Sequence, residues 1–391
     1  MMKKRICSLM LAFLILTFCV CAVKAEGANT VSAPVYSGTP DAVSCILMDA
    51  KTGAVLYEYN ADEALPPASV TKVMTMLLIF EAIDGGTLSL TDMISVSETA
   101  ASMGGSQIFL APGEEMSVDD LLKGLIVSSA NDAAVALAEA IAGSEEGFVV
   151  KMNARAEALG MKNTHFENTN GLDDTTDNHV TSARDIAIMT RELMKHEKVF
   201  DYTTIWMDTI RGGTFGLSNT NRLIRFYKGA TGLKTGSTSK AKFCISATAE
   251  RDGLSLIAVI MGSPTRDARN ALAASLLDFG FASYACYTDP EAAMETVRIT
   301  GGTQNTLATL CEGFSATVEK SMLSKVEKRI DLPEKAAAPI RAGQKIGTVT
   351  YLSDGRELGT ADILAAEDVE KMTFSSLFPK LFAWFLMSEG K

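Results

Sequence analysis

Three short motifs stand far apart along this chain, in one order: Ser69-Val70-Thr71-Lys72, Ser129-Ala130-Asn131 and Lys234-Thr235-Gly236. A fold that uses them together must bring three distant segments to one place, which is the strongest constraint the sequence carries. Each motif alone is weak. Ser237-Thr238-Ser239-Lys240 repeats the first pattern and Lys51-Thr52-Gly53 the third, so neighbours have to choose between copies. Ser69 follows Pro66-Pro67-Ala68 and precedes the apolar run Val70 to Ile83, which reads as a helix start, where serine is favoured. On that helix Ser69 and Lys72 are three apart and share a face. Ser237 instead precedes Phe243–Ala247, a strand after a turn, and Lys51-Thr52-Gly53 separates two strand-like runs as a hairpin turn.

The N-terminus reads as a secretory address. Lys3, Lys4 and Arg5 precede the apolar run Ile6 to Val23, and Ala22-Val23-Lys24-Ala25 offers a cut before Glu26, making 1–25 a signal peptide. The run is also long enough to be an uncleaved anchor. Removing it leaves Cys45, Cys244, Cys286 and Cys311, too few and too scattered for a disulfide scaffold; Cys45 and Cys244 fall in apolar strands, as buried thiols do. His165, His179 and His196 lack ligand spacing, so no metal and no cofactor is expected. A net charge of −11 argues against nucleic acid as a partner while leaving room for a local basic pocket.

The organisation is α+β. Residues 40–284 carry strand-like runs at both ends (Val43–Asp49, Ala54–Tyr59, Phe243–Glu250, Leu254–Met261) and helical runs between them (Thr71–Ile83, Val118–Val127, Asp132–Ile141, Phe148–Leu159, Ser182–His196), with Asp267–Phe279 closing the unit. This predicts one antiparallel sheet packed by a helical cluster. After a linker near Thr288-Asp289-Pro290, residues 292–370 form a small all-β domain of short strands divided by Gly and Pro. In 372–391, Phe374, Leu377, Phe378, Leu381, Phe382, Trp384 and Phe385 gather on one side at helical spacing. This fits an amphipathic helix lying in a membrane interface, or one docked on the β domain.

A serine hydroxyl needs a base within hydrogen-bond reach, and no histidine lies near Ser69 in sequence. Lys72 is the candidate base, provided burial or a cationic neighbour such as Lys234 lowers its pKa. Ser129 is placed to relay a proton toward the departing amine. Asn131 can donate to and accept from a substrate amide. Lys234 and Thr235 offer a charge and a hydroxyl to a carboxylate, and Gly236 lets a strand edge approach the ligand. The N–H groups of Ser69 and of a residue near Ser237 would make an oxyanion hole. The bland alternatives are that Ser129 and Asn131 cap the following helix and that Lys234 is a solvated turn residue.

The motif set resembles that of penicillin-binding proteins and serine β-lactamases. The chain is most similar to the low-molecular-weight penicillin-binding proteins that are serine D-alanyl-D-alanine carboxypeptidases. Gly53–Leu56, Asn60-Ala61-Asp62, Pro67–Lys72, Ser129–Ala133, Asn170-Gly171-Leu172, Ser182–Asp185 and Thr231–Gly236 carry the likeness in order, from about 43 to 281. The resemblance implies a transpeptidase/β-lactamase-like domain and removal of the terminal D-alanine from peptidoglycan stem pentapeptides. It implies Ser69 as acyl-ester nucleophile, Lys72 as proton acceptor, Ser129 as a further catalytic residue and Lys234 as substrate binder. It also implies acylation of Ser69 by β-lactam antibiotics and a peripheral place on the outer face of the bacterial cytoplasmic membrane. Ser237 stands where some relatives have histidine, and Arg269 where a relative's arginine binds a carboxylate. A class A β-lactamase reading fails on Glu167-Asn168-Thr169-Asn170-Gly171, which departs from the Glu-x-x-Leu-Asn pattern of that class. A D,D-endopeptidase at the same site, or a β-lactam sensor that never turns over, remains open.

Overall fold

The computed structural model describes residues 34–174, 176–379 and 382. The run Ser44–Asp49 is buried along its whole length, as an inner strand must be, and it pairs on both edges. A five-stranded antiparallel sheet results, in the order Val55–Tyr59, Ser44–Asp49, Leu254–Ser263, Lys242–Arg251, Ala230–Thr238. The hairpin expected at Lys51-Thr52-Gly53 forms, and the strand-like runs Phe243–Glu250 and Leu254–Met261 pair as a second. Asp252 and Gly253, each at positive φ, turn the chain between Arg251 and Leu254. The competing Lys51-Thr52-Gly53 is indeed a turn, with Gly53 at φ 77° and Thr52 N–H donating to Asp49 Oδ1 at 2.6 Å.

Alternate residues of the inner strands serve two cores. Ile46, Met48, Ile257, Val259 and Met261 face the helical cluster; Cys45, Leu47, Leu256, Ala258 and Ile260 face Leu272, Ala273, Leu276 and Leu277 of the helix Arg266–Ser283. The cluster comprises Lys72–Asp84, Val118–Val127, Asn131–Ala142, Glu145–Ala158 and Ala183–Leu193. Its central member, Lys72–Asp84, is apolar on nearly every side (Val73, Met74, Met76, Leu77, Ile79, Phe80 and Ile83 are all buried), so it sits inside rather than on the surface. That location takes Lys72 out of water with it. Cys45 and Cys244 are buried free thiols.

The connection near Thr288-Asp289-Pro290 is mostly strand. Tyr284–Asp289 is a strand that follows the closing helix directly and pairs with Phe314–Glu319. The expected linker is ordered because these residues alternate into a ladder, which holds the β domain close. Lys51 Nζ reaches Ser315 Oγ at 2.8 Å and Lys320 Nζ reaches the Phe281 carbonyl at 2.6 Å. The β domain itself is a six-stranded sheet ordered Val326–Asp331, Lys345–Ser353, Arg356–Ala365, Thr306–Cys311, Ala292–Thr300, Lys335–Ala337, its last pair parallel. Residues 374–379 and 382 are helical, with Phe374, Phe378 and Phe382 exposed in a row of ring contacts. Residues 1–25, and the remainder of the tail beyond Pro379 save Phe382, lie outside the described residues. Among the described residues no helix is long and apolar enough to cross a membrane.

Leu276, fully buried between the sheet and its closing helix, sets a measurable part of this architecture. Leu276→Ala is expected to cost about 2–5 kcal/mol in urea denaturation; a loss under about 1 kcal/mol would mean that the site collapses around the smaller residue.

Candidate active site

Ser69 lies in a single turn of 3-10 helix, Ala68–Thr71, and the α-helix begins at Lys72. The expected capping role for Ser69 is absent, because neither helix start has a side-chain cap. Its hydroxyl points instead toward Lys72, whose Nζ is 2.9 Å away. Lys72 Nζ also lies 2.5 Å from Asn131 Oδ1 and 3.0 Å from the main-chain oxygen of Asn170. These last two groups only accept. A neutral amine has two protons for them and one lone pair, which then faces the serine hydroxyl. Burial holds the Lys72 amine well below its ordinary pKa, and the neighbouring Lys234 pushes the same way, while Asp132 opposes them.

Lys234 sits on the strand Ala230–Thr238 that borders the helical cluster, and its Nζ reaches Ser129 Oγ at 2.8 Å and the Thr235 carbonyl at 3.0 Å. It is buried, not a solvated turn residue, and burial followed by Arg269 pushes its pKa down to about 7. Ser129 is held at φ 64°, an uncommon conformation outside glycine. The next helix starts at Asn131 with Ala130 at its cap and no side-chain cap, so Ser129 and Asn131 do not serve as helix caps. Asn131 differs from expectation in another way. Its Oδ1 is on Lys72 and its Nδ2 on the Gly104 carbonyl at 2.6 Å, so its amide steers the base and is not open to the cleft. Two backbone N–H groups, of Ile108 and Leu110, bind the Asp132 carboxylate and fix the loop beside it.

A cleft of about 700 Å³ opens above these groups, lined by Ser69, Ser129, Thr235, Gly236, Ser237 and Arg269 among others. Gly236 lets its strand approach the turn that carries Ser69: a methyl group there would lie 2.8 Å from Ser69 N and 2.9 Å from Pro67 O. Arg269 is buried, donates to the Cys244 carbonyl at 3.3 Å, and is pushed down to about 10 by burial. Sequence reasoning missed Arg222, Arg266, Trp206 and Phe226, which also line the cleft. Nothing in their local pattern marks them, because loops and a helix start bring them in from separate places. It also missed the Asn170 carbonyl as a partner of Lys72, since a main-chain oxygen carries no residue-type signal.

A serine hydroxyl 2.9 Å from the amine of a buried lysine, with a second serine–lysine pair beside it, defines a serine hydrolase that works through an acyl-enzyme. Residues 28–265 match the D-alanyl-D-alanine carboxypeptidase family, and residues 288–371 match the penicillin-binding protein 5 C-terminal domain. The D-alanyl-D-alanine carboxypeptidase DacF of Bacillus subtilis is 42% identical over 380 residues, covering 95% of this chain and 96% of its own length. The crystal structure of penicillin-binding protein 5 from Haemophilus influenzae shares 33% identity with a TM-score of 0.75, over 86% of this chain and all of that one. Penicillin-binding protein D2 of Listeria monocytogenes, solved in its ampicillin-bound form, is 31% identical with a TM-score of 0.57, over 62% of this chain and 98% of that one. The chain belongs to the D-alanyl-D-alanine carboxypeptidase family of serine hydrolases, with the transpeptidase-like domain and C-terminal β domain of the low-molecular-weight penicillin-binding proteins.

The lysines make stability depend on pH. Lys234 titrates near 10.5 when unfolded and about 7 when folded, so between those values the unfolded chain holds more protons. Folded stability therefore rises with pH across that window, and Lys72 contributes in the same sense. Lys234→Met removes its own share. Urea denaturation of the variant is expected to gain less stability than the wild type between about pH 7 and about pH 10; equal slopes would show that Lys234 titrates normally in the fold.

Proposed function

We propose that this chain removes the C-terminal D-alanine from peptidoglycan stem pentapeptides through an acyl-enzyme on Ser69. The observation that carries the reading is the 2.9 Å approach of Lys72 Nζ to Ser69 Oγ at a fully buried lysine. Lys72, whose charged form burial disfavours, takes the Ser69 proton as Oγ attacks the carbonyl of the penultimate D-alanine. The N–H groups of Ser69 and of the Ser237 segment receive the oxyanion. The proton on Lys72 then passes through Ser129 to the departing amine, D-alanine leaves, and water hydrolyses the ester. Lys234, Thr235 and Arg269 hold the terminal carboxylate, with the Ser237 hydroxyl and Gly236 at the strand edge; all of these but Lys234 line the cleft. Asn131 fixes the position of Lys72 and contacts substrate only on releasing the Gly104 carbonyl.

β-Lactam antibiotics enter the same scheme, their strained amide standing in for the scissile bond, and leave a stable ester on Ser69. The ampicillin-bound form of the Listeria relative supports this. We assign residues 1–25 to an export signal. Residues 40–284 form the peptidase domain and 292–370 the β domain, with 372–391 an amphipathic tail that holds the protein peripherally on the outer face of the membrane. The exposed row Phe374, Phe378 and Phe382 supports the last assignment.

D-Alanine release from a bis-acylated Lys-D-Ala-D-Ala peptide is expected under multiple turnover and is expected to vanish in Ser69→Ala. Lys72→Arg puts a permanent cation with no usable lone pair in its place, and should slow acylation by more than about a hundredfold. A folded, penicillin-labelled wild type that releases no D-alanine would move the assignment to a D,D-endopeptidase or a sensor. Deleting 372–391 should free the protein from membranes; a truncated form that still sediments with them rules out the tail as anchor.

A further inference from the structure

A buried histidine outside the three motifs is joined to the nucleophile's own peptide group. Backbone N–H of Glu167 donates to His179 Nδ1 at 2.9 Å. That nitrogen therefore carries no proton, and in the neutral ring Nε2 does. Nε2 lies 2.7 Å from Thr71 Oγ1, so it donates to the hydroxyl, and Thr71 Oγ1 in turn donates to the Ala68 carbonyl at 2.9 Å. The relay has one polarity from end to end. His179, Thr71 and Ala68 are all buried, and burial, with His165 adding to it against the pull of Asp173, holds the imidazole down to about 4. The neutral tautomer this polarity needs is thus the one present near neutral pH.

The Ala68 carbonyl and the Ser69 N–H belong to a single peptide unit. In a planar trans peptide these two groups point in opposite directions, so fixing one aims the other. Ala68 is held at φ 48°, unusual for a residue with a side chain, and its carbonyl is walled in on a second side by Gly171. A methyl group on Gly171, itself at φ 86°, would lie 1.9 Å from that oxygen. On the other side of the peptide, Ser69 N faces the Gly236 strand edge, where a methyl group would come within 2.8 Å.

We infer that His179, acting through Thr71, is a positioning residue that locks the Ala68–Ser69 peptide with its carbonyl inward and its N–H aimed into the cleft as an oxyanion-hole donor. The inference rests on Ser69 being the nucleophile. Hydrogen bonding at the carbonyl end also polarises the N–H end of the same amide, which strengthens the donor.

The test uses the full-length protein and benzylpenicillin, with the acylation rate measured beside the infrared stretch of the acyl-enzyme ester carbonyl. Thr71→Val, close in shape but without the hydroxyl, should acylate about tenfold to a hundredfold more slowly, less than the outright loss of an oxyanion-hole donor costs. Its ester carbonyl should absorb at higher frequency than the wild type's, and peptide turnover should lose kcat with KM little changed. His179→Ala should show the same pattern. Thr71→Ser and His179→Gln, which keep the donor and acceptor atoms, should recover most of the rate and the lower frequency. Folded Thr71→Val or His179→Ala protein with a wild-type rate would overturn the inference. So would a slower rate with an unshifted carbonyl, because packing alone would account for it. A wild-type chain that penicillin does not acylate would remove Ser69 as nucleophile, and this inference with it.

Discussion

The cleft is organised around an amine kept out of water. Lys72 opens a helix so apolar that the fold places it at the centre of the helical cluster, and the lysine is buried as a consequence. Burying an ammonium is unfavourable, and the protein resolves this by favouring the neutral form. The surroundings of Lys72 agree with that choice. Two acceptors, Asn131 Oδ1 and the Asn170 carbonyl, take its two protons, and the third direction faces Ser69. The helix that supplies hydrophobic stability and the base that supplies chemistry are therefore one structural decision.

The second lysine shows the same economy with a different outcome. Lys234 is equally buried, but Arg269 is its charged neighbour and its edge strand borders the open cleft. Burial and Arg269 bring its pKa down to about 7. An arriving carboxylate would favour its charged form and so couple substrate binding to protonation. Under the proposed mechanism two buried lysines divide the labour of base and anion binder, although their residue type is the same. Both also make the folded state less stable at neutral pH than it would be with apolar residues, a usual feature of functional sites.

Around these side chains the backbone is set with unusual care. Ala68 and Ser129 both occupy positive φ, Gly236 and Gly171 each leave no room for a side chain, and each lies against the nucleophile turn or the strand facing it. The loop from Phe166 to Val180 is tied down through Thr169 to Thr75 and Glu145, through Asn170 to Lys72, and through His179 to Thr71. This loop, and not the motifs alone, holds the turn that carries Ser69.

Much was legible in the sequence. The strand and helix runs of the first domain fall within a few residues of their observed limits, because each has a clear apolar period bounded by Pro, Gly or a polar cap. The three motif segments meet as their order implied, and neighbouring residues correctly dismissed Lys51-Thr52-Gly53 as a turn. The strands Thr306–Cys311 and Tyr284–Asp289 were not legible, since short half-buried strands owe their existence to partners distant in sequence. Ser69 was read as a helix cap and is not one, and Asn131 was read as open to substrate and is turned onto Lys72. Residue type and spacing told which groups meet in the cleft, because candidate nucleophile, base and anion binder are chemical identities. Which way each group points, which proton it holds and which main-chain oxygen it meets depended on packing between segments remote along the chain, and only the tertiary structure decided that.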